Sequence, residues 1–385
     1  MKGKRFSFQL LKEGEQGRRG TITTPHGTVS TPAFMPVGSQ GSVKALAPAD
    51  LQEVGTEILL GNAYHLYLRP GMEVIRQAGG LHQFMGWEGP ILTDSGGFQI
   101  VSMSALQEVE PEGVRFRSHL DGSFHFLTPA KVVQIQEELG ADIMMVLDNC
   151  SSYPASSVEA KAAVALTTQW ARQSQGAKSR DGRQALFGIV QGGVYPELRE
   201  QSAQELMEIG FDGYAIGGLS LGEAKEVTFE MAQVVTSLLP TDTPRYLMGM
   251  GTPEDILAGV RIGVDMFDCV LPTRCARTGL LFTHFGQLNI KHARYSKDTA
   301  PIDPACDCYT CQNFSRAYLR HLFLSRELLA YRLNAVHNLF YYHSLMRDIR
   351  QALSEETMDQ FVQAFVSQRV DTTDNSKDEG GETVC

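Results

Sequence analysis

The sequence predicts a closed (β/α)8 barrel, with a small antiparallel sheet before it and a metal-binding insertion plus helices after it. Three observations carry this expectation. Eight short apolar runs, suited to strands buried on both faces, recur at crossover spacing. Segments with apolar residues three and four apart lie between several of them. Most runs end in glycine or a polar side chain, and in a barrel those ends share one mouth, where such folds place their chemistry. An open parallel sheet is the alternative architecture.

The runs are Phe34–Val37, Glu57–Leu60, Pro90–Thr93, Ile143–Leu147, Leu186–Val190, Gly213–Ile216, Arg245–Met248 and Met266–Phe267. Helices are expected over Pro129–Leu139 behind a Thr128 cap, and over Val158–Gln175, Pro196–Ile209, Gly222–Leu239 and Pro253–Ile262. The residues that follow the runs are Gly61-Asn62, Asp94-Ser95-Gly96-Gly97, Asp148, Gln191-Gly192-Gly193, Gly217-Gly218, Gly249 and Asp268. One strand ending in glycines is a turn; so many together suggest room for a flat ligand. Residues 1–33 are assigned to the N-terminal sheet, because 6–33 alternate apolar and polar around Thr24-Pro25-His26-Gly27. Residues 34–274 form the barrel, 275–368 the insertion and C-terminal helices, and 369–385 an acidic tail expected to be disordered.

Composition narrows the function. The 385 residues are 43% hydrophobic and 20% charged, which suits a packed core and excludes a fibrous or disordered chain. No apolar stretch is long enough for a membrane span, and the first residues lack a signal peptide's apolar segment. A net charge of −10 argues against coating nucleic acid non-specifically, so any such contact needs a local basic patch. The 7 cysteines are odd in number, and Cys306, Cys308 and Cys311 crowd together. That pattern suits a reducing, cytoplasmic setting with a metal site better than a disulfide framework.

Cys306-Asp307-Cys308-Tyr309-Thr310-Cys311 offers three thiolates from one tight loop, a good set for Zn2+. The fourth ligand is expected from a helix folding back over the loop, with His337 and His321 as the competing candidates. Such a closed site is structural, with one ion per chain. The plainer reading is three buried free thiols.

Three aspartates fall at the predicted mouth: Asp94, Asp148 and Asp268. Together they suit acid/base work plus a carboxylate nucleophile or an acceptor for a base. Any one of them can instead cap a helix after its strand. For Asp268 the following Cys269-Val270-Leu271-Pro272 reads as a poor helix start.

Here a family resemblance enters. Leu92–Gln99, Phe187–Gly193, Ala215–Glu223 and Met266–Arg274, with Cys306–Cys311 and His337, resemble bacterial tRNA-guanine transglycosylases, the queuine tRNA-ribosyltransferase family. The likeness runs from about Phe6 to Gln368. It implies exchange of the wobble guanine of GUN anticodons for a deazaguanine, with Asp268 as nucleophile on the ribose C1′ and Asp94 as general acid/base. Asp148 would accept from the N1 and amine edge of the purine, while Gln191 and the Gly218 N–H donate to its O6. Ser95, Gly96, Gly97 and Gly217 line the same pocket, Phe98 and Met248 sandwich the ring, and the Leu219 carbonyl accepts from an aminomethyl ammonium. Leu221 and Cys150 match the type that takes preQ1, which carries that small group, rather than bulkier queuine.

The resemblance also implies an RNA-contacting loop, Gly249-Met250-Gly251-Thr252-Pro253-Glu254-Asp255, and an anticodon-reading segment, Thr273-Arg274-Cys275-Ala276-Arg277. A basic strip of Arg274, Arg277, Lys291, Arg294 and Lys297 adjoins the latter. Homodimerisation is implied too, and Phe314, Tyr318 and His321 recur at helical spacing on a face suited either to a partner or to core packing. The rival readings are a barrel glycoside or zinc hydrolase, a non-catalytic RNA-binding homologue, and a DNA-modifying relative. The first lacks a histidine cluster at the strand ends. The second fits poorly with Asp94, Asp148 and Asp268 together, and the third with the Arg274/Arg277 segment.

Overall fold

The computed structural model describes residues 5–97, 100 and 107–373, with side chains as far as 369. Phe98 and Gln99 lie outside the described residues, as does 374–385, on which most of the expected disorder fell.

Strands β1 (Ser7–Gly14), β2 (Gly17–Thr24) and β3 (Gly27–Thr31) form an antiparallel sheet. The barrel follows: β4 (Ala33–Gly38), β5 (Leu59–Asn62) and β6 (Ile91–Asp94), then, after an interruption, β10 to β14. The interruption is a second antiparallel sheet of β7 (Gln107–Glu110), β8 (Gly113–Arg117) and β9 (Phe124–Leu127). The remaining barrel strands are β10 (Ile143–Met145), β11 (Ala185–Val190), β12 (Gly213–Ile216), β13 (Arg245–Leu247) and β14 (Met266–Cys269). All neighbouring barrel strands pair in parallel, and β14 closes the ring on β4 with Asp268 opposite Met35.

The eight expected runs are therefore the eight barrel strands, and the closed architecture holds over the open sheet. The largest shift in bounds is at β5, which starts at Leu59 and not Glu57. The Glu57 carboxylate instead accepts the Ser30 N–H at 2.5 Å, drawn aside by β3. The β7–β9 sheet had no sequence forecast.

Three of the expected helices begin at capping side chains, whereas the one expected over Gly222–Leu239 runs Lys225–Thr236 behind an uncapped Ala224. Thr128 accepts from the Lys131 N–H at 3.1 Å ahead of Pro129–Leu139. Ser156 and Glu159 make a reciprocal capping box for Ser157–Ala177, and Thr252 with Asp255 make another for Pro253–Arg261. The short helices Pro48–Glu53, Ala63–Leu68, Met72–Gln77 and Leu81–Met85 had no sequence forecast, and neither had Leu271–Thr278, directly after β14. Pro272 sits in its first turn, where a missing N–H costs nothing, and Val270 fills the cap position without a side-chain bond. Asp268 does not cap it. The final helix runs Met358–Thr373, into the segment expected as tail, where Arg369 binds Glu254, the Tyr341 hydroxyl and the Thr283 carbonyl.

The bottom of the barrel shows why the strands stay in register. Asp142, Asp212 and Asp265 stand immediately before β10, β12 and β14. Each carboxylate accepts a backbone N–H from an adjacent strand: Ile91 at 2.9 Å, Leu186 at 2.8 Å and Arg245 at 2.8 Å, respectively. Backbone donors at a staggered strand start otherwise lack partners. Two of these aspartates also fasten the N-terminal sheet: Arg18 of β2 donates to Asp265 at 3.0 Å, and His26 meets Asp142 at 2.9 Å. Arg18 is 1% exposed, so its charge is neutralised almost entirely by Asp265.

The long helix Leu328–Glu355 spans about 42 Å and braces the far side of the molecule. Asn338 donates to the Pro272 and Leu280 carbonyls, the Tyr342 hydroxyl to Gly251, and Arg350 to Pro32. Between it and the barrel lies the hairpin of β15 (Leu280–Thr283) and β16 (Gly286–Asn289).

Removing one partner of a buried pair strands the other charge, which costs about 3–5 kcal/mol. Asp265→Ala should therefore lower stability by about that amount in chemical denaturation, and Asp212→Ala, whose carboxylate is half-buried, by less.

Candidate active site and metal centre

Parallel strands of one barrel deliver their C-terminal ends to one rim. Asp94 ends β6, Asp148 lies three residues past β10, Gln191 follows β11, Gly217-Gly218 follow β12, Met248-Gly249 follow β13, and Asp268 lies within β14.

Asp94 is buried. The Asn62 side-chain amide donates to its Oδ2 at 2.7 Å, and the Ala63 N–H to its Oδ1 at 3.3 Å. Both donors favour the ionised form, yet burial, reinforced by the nearby charges of Asp268 and Asp148, pushes the carboxyl up to about 8. Asp94 thus holds a proton at neutral pH. Asp268 is half-buried, which also raises it, but two donors converge on its Oδ1: the Tyr246 hydroxyl at 2.6 Å and the Gly249 N–H at 2.7 Å. Tyr246 is itself raised well above the ordinary phenol value, first by burial and then by the Asp268 charge, so it stays a donor. Burial raises both carboxyls, and the Tyr246 and Gly249 donors oppose that rise at Asp268, so Asp94 is suited to give a proton and Asp268 to act through its oxygen.

Asp148 accepts from Ser95 Oγ at 3.4 Å and from Gln191 Nε2 at 2.7 Å, while burial raises it to about 6. Gln191 is buried, its N–H bound to Ser202 at 3.1 Å, and its Oε1 has no partner among the described residues. Its amide lies flat against the end of β12. A Cβ at Gly217 would come within 2.9 Å of Nε2, and one at Gly218, where φ is +65°, within 2.3 Å of Oε1. Neither position tolerates a side chain. The same construction places the Met248 sulfur 3.6 Å from a Gly217 Cβ and the Cys150 sulfur 3.6 Å from a Gly218 Cβ. Both side chains therefore border the β12 glycines. Ser95, Gly96 and Gly97 form the turn between Tyr64 and Asp148, and Leu219 is buried behind Gly218.

Three residues that sequence reasoning did not assign a role stand here. Asn62 was visible only as a polar residue ending a strand. Tyr246 sits mid-strand with no local signal. Glu223 accepts the N–H groups of Ser220 and Leu221, fixing the turn after Gly218.

The expected RNA-contacting residues divide by exposure. Gly249, Glu254 and Arg274 are exposed, Thr252 and Arg277 half-buried, and Met250, Gly251, Pro253, Asp255, Thr273, Cys275 and Ala276 buried. The buried ones shape the surface that the others present. Burial and the Arg274 charge both lower the Arg277 guanidinium, the mark of two cations held close together. Lys291, Arg294 and Lys297 are exposed as well.

Cys306, Cys308, Cys311 and His337 are all buried, with ligand atoms within 4.8 Å of one another, a group that could hold a metal ion. His337 Nδ1 lies 3.7, 3.5 and 3.3 Å from the three sulfurs. A tetrahedral thiolate–imidazole site spaces sulfur and nitrogen by about 3.5 Å. The opposite ring nitrogen, Nε2, is 2.8 Å from the Phe282 carbonyl; as the donor there it leaves the Nδ1 lone pair facing the thiols. His321 is exposed on the helix Arg316–Leu324, away from this group, so His337 is the fourth member. Among the described residues no helix is long and apolar enough to cross a membrane.

Comparison with known proteins agrees with this geometry. A family profile described as "Queuine tRNA-ribosyltransferase" matches residues 13–371. A protein of that name from Solidesulfovibrio magneticus is 56% identical over 350 residues, 91% of this chain and 94% of its own length. Namesakes from Methylobacillus flagellatus and Caldanaerobacter subterraneus subsp. tengcongensis are 54% and 52% identical, each covering 94% of this chain and 97% of their own. With the match spanning nearly the whole chain, this protein belongs to the queuine tRNA-ribosyltransferase family, whose members are pentosyltransferases acting in tRNA modification.

Proposed function

We propose that the chain exchanges guanine at the wobble position of GUN anticodons, in the tRNAs for Asp, Asn, His and Tyr, for preQ1, by double displacement through an Asp268–ribosyl intermediate. The observation that carries this reading is the pairing of two carboxyls at one rim: Asp94, which burial raises to about 8, and Asp268, whose Oδ1 accepts from the Tyr246 hydroxyl and the Gly249 N–H. In the first step an Asp268 oxygen attacks C1′, the C1′–N9 bond breaks, and Asp94 gives its proton to the departing guanine. In the second, preQ1 returns a proton to Asp94 and attacks C1′, releasing Asp268. Two inversions restore the β configuration, as in retaining glycosidases. Asp148 reads the N1 and amine edge of the base, and Gln191 with the Gly218 N–H reads O6. Phe98 and Met248 are assigned the stacking role, worth about 1–3 kcal/mol for a flipped base. The half-buried Leu221 closes the pocket in favour of the small aminomethyl group, whose ammonium donates to the Leu219 carbonyl.

The exposed Arg274, with Arg277 and the strip Lys291, Arg294 and Lys297, holds the anticodon-loop phosphates, and the Gly249–Asp255 loop contacts the RNA beside it. The Cys3His group is assigned one structural Zn2+, which ties the insertion to the long helix and takes no part in the chemistry. The domain limits 34–274 and 275–368 follow that division. A homodimer is supported by the exposed aromatic strip: Tyr318 is 40% exposed and stacks on Phe314 at 5.5 Å, with His321 a turn further along. The cytoplasm is the assigned compartment, where thiols stay reduced.

The reading is tested by adding radiolabelled preQ1 to a GUN tRNA without ATP. Label should enter the RNA with the wild type and not with Asp268→Ala; incorporation by that variant overturns the nucleophile assignment. The pH profile of kcat/KM should be bell-shaped. Recognition needs ionised Asp148, so activity rises as pH passes about 6; proton donation needs neutral Asp94, so it falls above about 8. A flat profile across that window contradicts both roles. Metal analysis should find one zinc per chain. Cys306→Ser should lower that content and expose the segment after Gly279 to limited proteolysis.

A further inference from the structure

Arg199, on the helix Pro196–Ile209, is 0% exposed, and among the described residues no carboxylate lies within ion-pair distance of it. Its guanidinium is satisfied by backbone instead. Nε donates to the Gly193 carbonyl at 2.9 Å, Nη1 to Val190 at 3.0 Å and Gly217 at 2.7 Å, and Nη2 to Gly218 at 3.1 Å. These four acceptors belong to the two rim segments that carry Gln191 and Gly218. A full charge has thus been buried where a neutral amide could have filled part of the same role, at a desolvation cost of several kcal/mol.

The shortest of these bonds has a chemical consequence. The Gly217 carbonyl and the Gly218 N–H are opposite ends of one peptide unit. A cation hydrogen-bonded to the carbonyl draws electron density from the nitrogen and makes its N–H a stronger donor. That N–H is the one assigned to purine O6.

We propose that Arg199 is a positioning residue that relays its charge through the Gly217–Gly218 peptide to the purine O6, sharpening selection for 6-oxopurines and stabilising the leaving base. When the C1′–N9 bond breaks, the base takes the electron pair, and part of that charge settles on O6, opposite the polarised N–H. Burial lowers Arg199 to about 10, so the cation persists at neutral pH. The inference rests on the reading of Gly218 as the O6 donor.

The test compares the binding of free guanine with that of 2-aminopurine, which lacks O6, by titrating the enzyme with 2-aminopurine fluorescence and competing with guanine. Wild type should prefer guanine. Arg199→Gln keeps an N–H donor for the carbonyls but no charge, and should reduce the preference about tenfold, chiefly by weakening guanine. Arg199→Lys keeps the charge and should retain most of the preference. A merely structural Arg199 would weaken both purines alike and leave their ratio unmoved. An unchanged ratio in folded Arg199→Gln overturns the relay, as does loss of folding in both variants, which would assign the residue to structure alone. A wild type that fails to distinguish the two purines overturns the Gly218 assignment instead, so the two failures are separable.

Discussion

Carboxylates crowded into a poorly hydrated space cannot all carry charge, and that constraint governs the rim of this barrel. Water would let Asp94, Asp148 and Asp268 ionise together; here burial raises all three, and hydrogen-bond donors oppose it at each. These donors come from four strands: Asn62 at the end of β5, Ser95 just past β6, Gln191 just past β11, and Tyr246 within β13 with the Gly249 N–H just beyond it. Only a closed ring brings all of these together, so the acid–base properties of the site follow from β14 pairing with β4.

The opposite end of the barrel uses the same residue type for a different purpose. Asp142, Asp212 and Asp265 accept strand N–H groups, and Arg18 and His26 bring in counter-charge from the N-terminal sheet. The top aspartates compete for scarce donors, whereas the bottom ones are satisfied by fixed backbone. The long helix then ties the peripheral parts to the rim, since Asn338 holds the helix after β14, Tyr342 holds the loop after β13, and His337 holds the cysteine loop. The helix after β14, the loop after β13 and the cysteine cluster are therefore mounted on one rod.

Much of this was legible in the sequence because it follows from short-range pattern. Apolar runs of two to five residues marked the barrel strands, Thr128 marked a helix start, and the cysteine spacing marked the metal group. What escaped depends on contacts between distant segments. The choice of His337 over His321 turns on which face of a helix meets the cysteine loop, and both are single histidines in helices. Tyr246 and Asn62 gain their roles from neighbours in other strands. The β7–β9 sheet alternates charged and aromatic residues such as Arg115, Arg117, Phe124 and Phe126 on its outer face, too weak a signal beside the long apolar runs. Leu271–Thr278 is helical despite a poor start because the long helix holds its Pro272 and Ala276 carbonyls.

The glycine pair at the end of β12 has a consequence for how this pocket can diverge over evolutionary time. A side chain at 217 collides with Ile189 and the Gln191 amide, and one at 218 with the amide, so mutational drift at those two codons is closed while Ile189 and Gln191 remain. Change in the shape of this pocket must arise instead from side chains that border the pair without supporting it, such as Cys150 and Met248. The Gln191 corner of the rim is thereby held fixed, while its borders stay open to change.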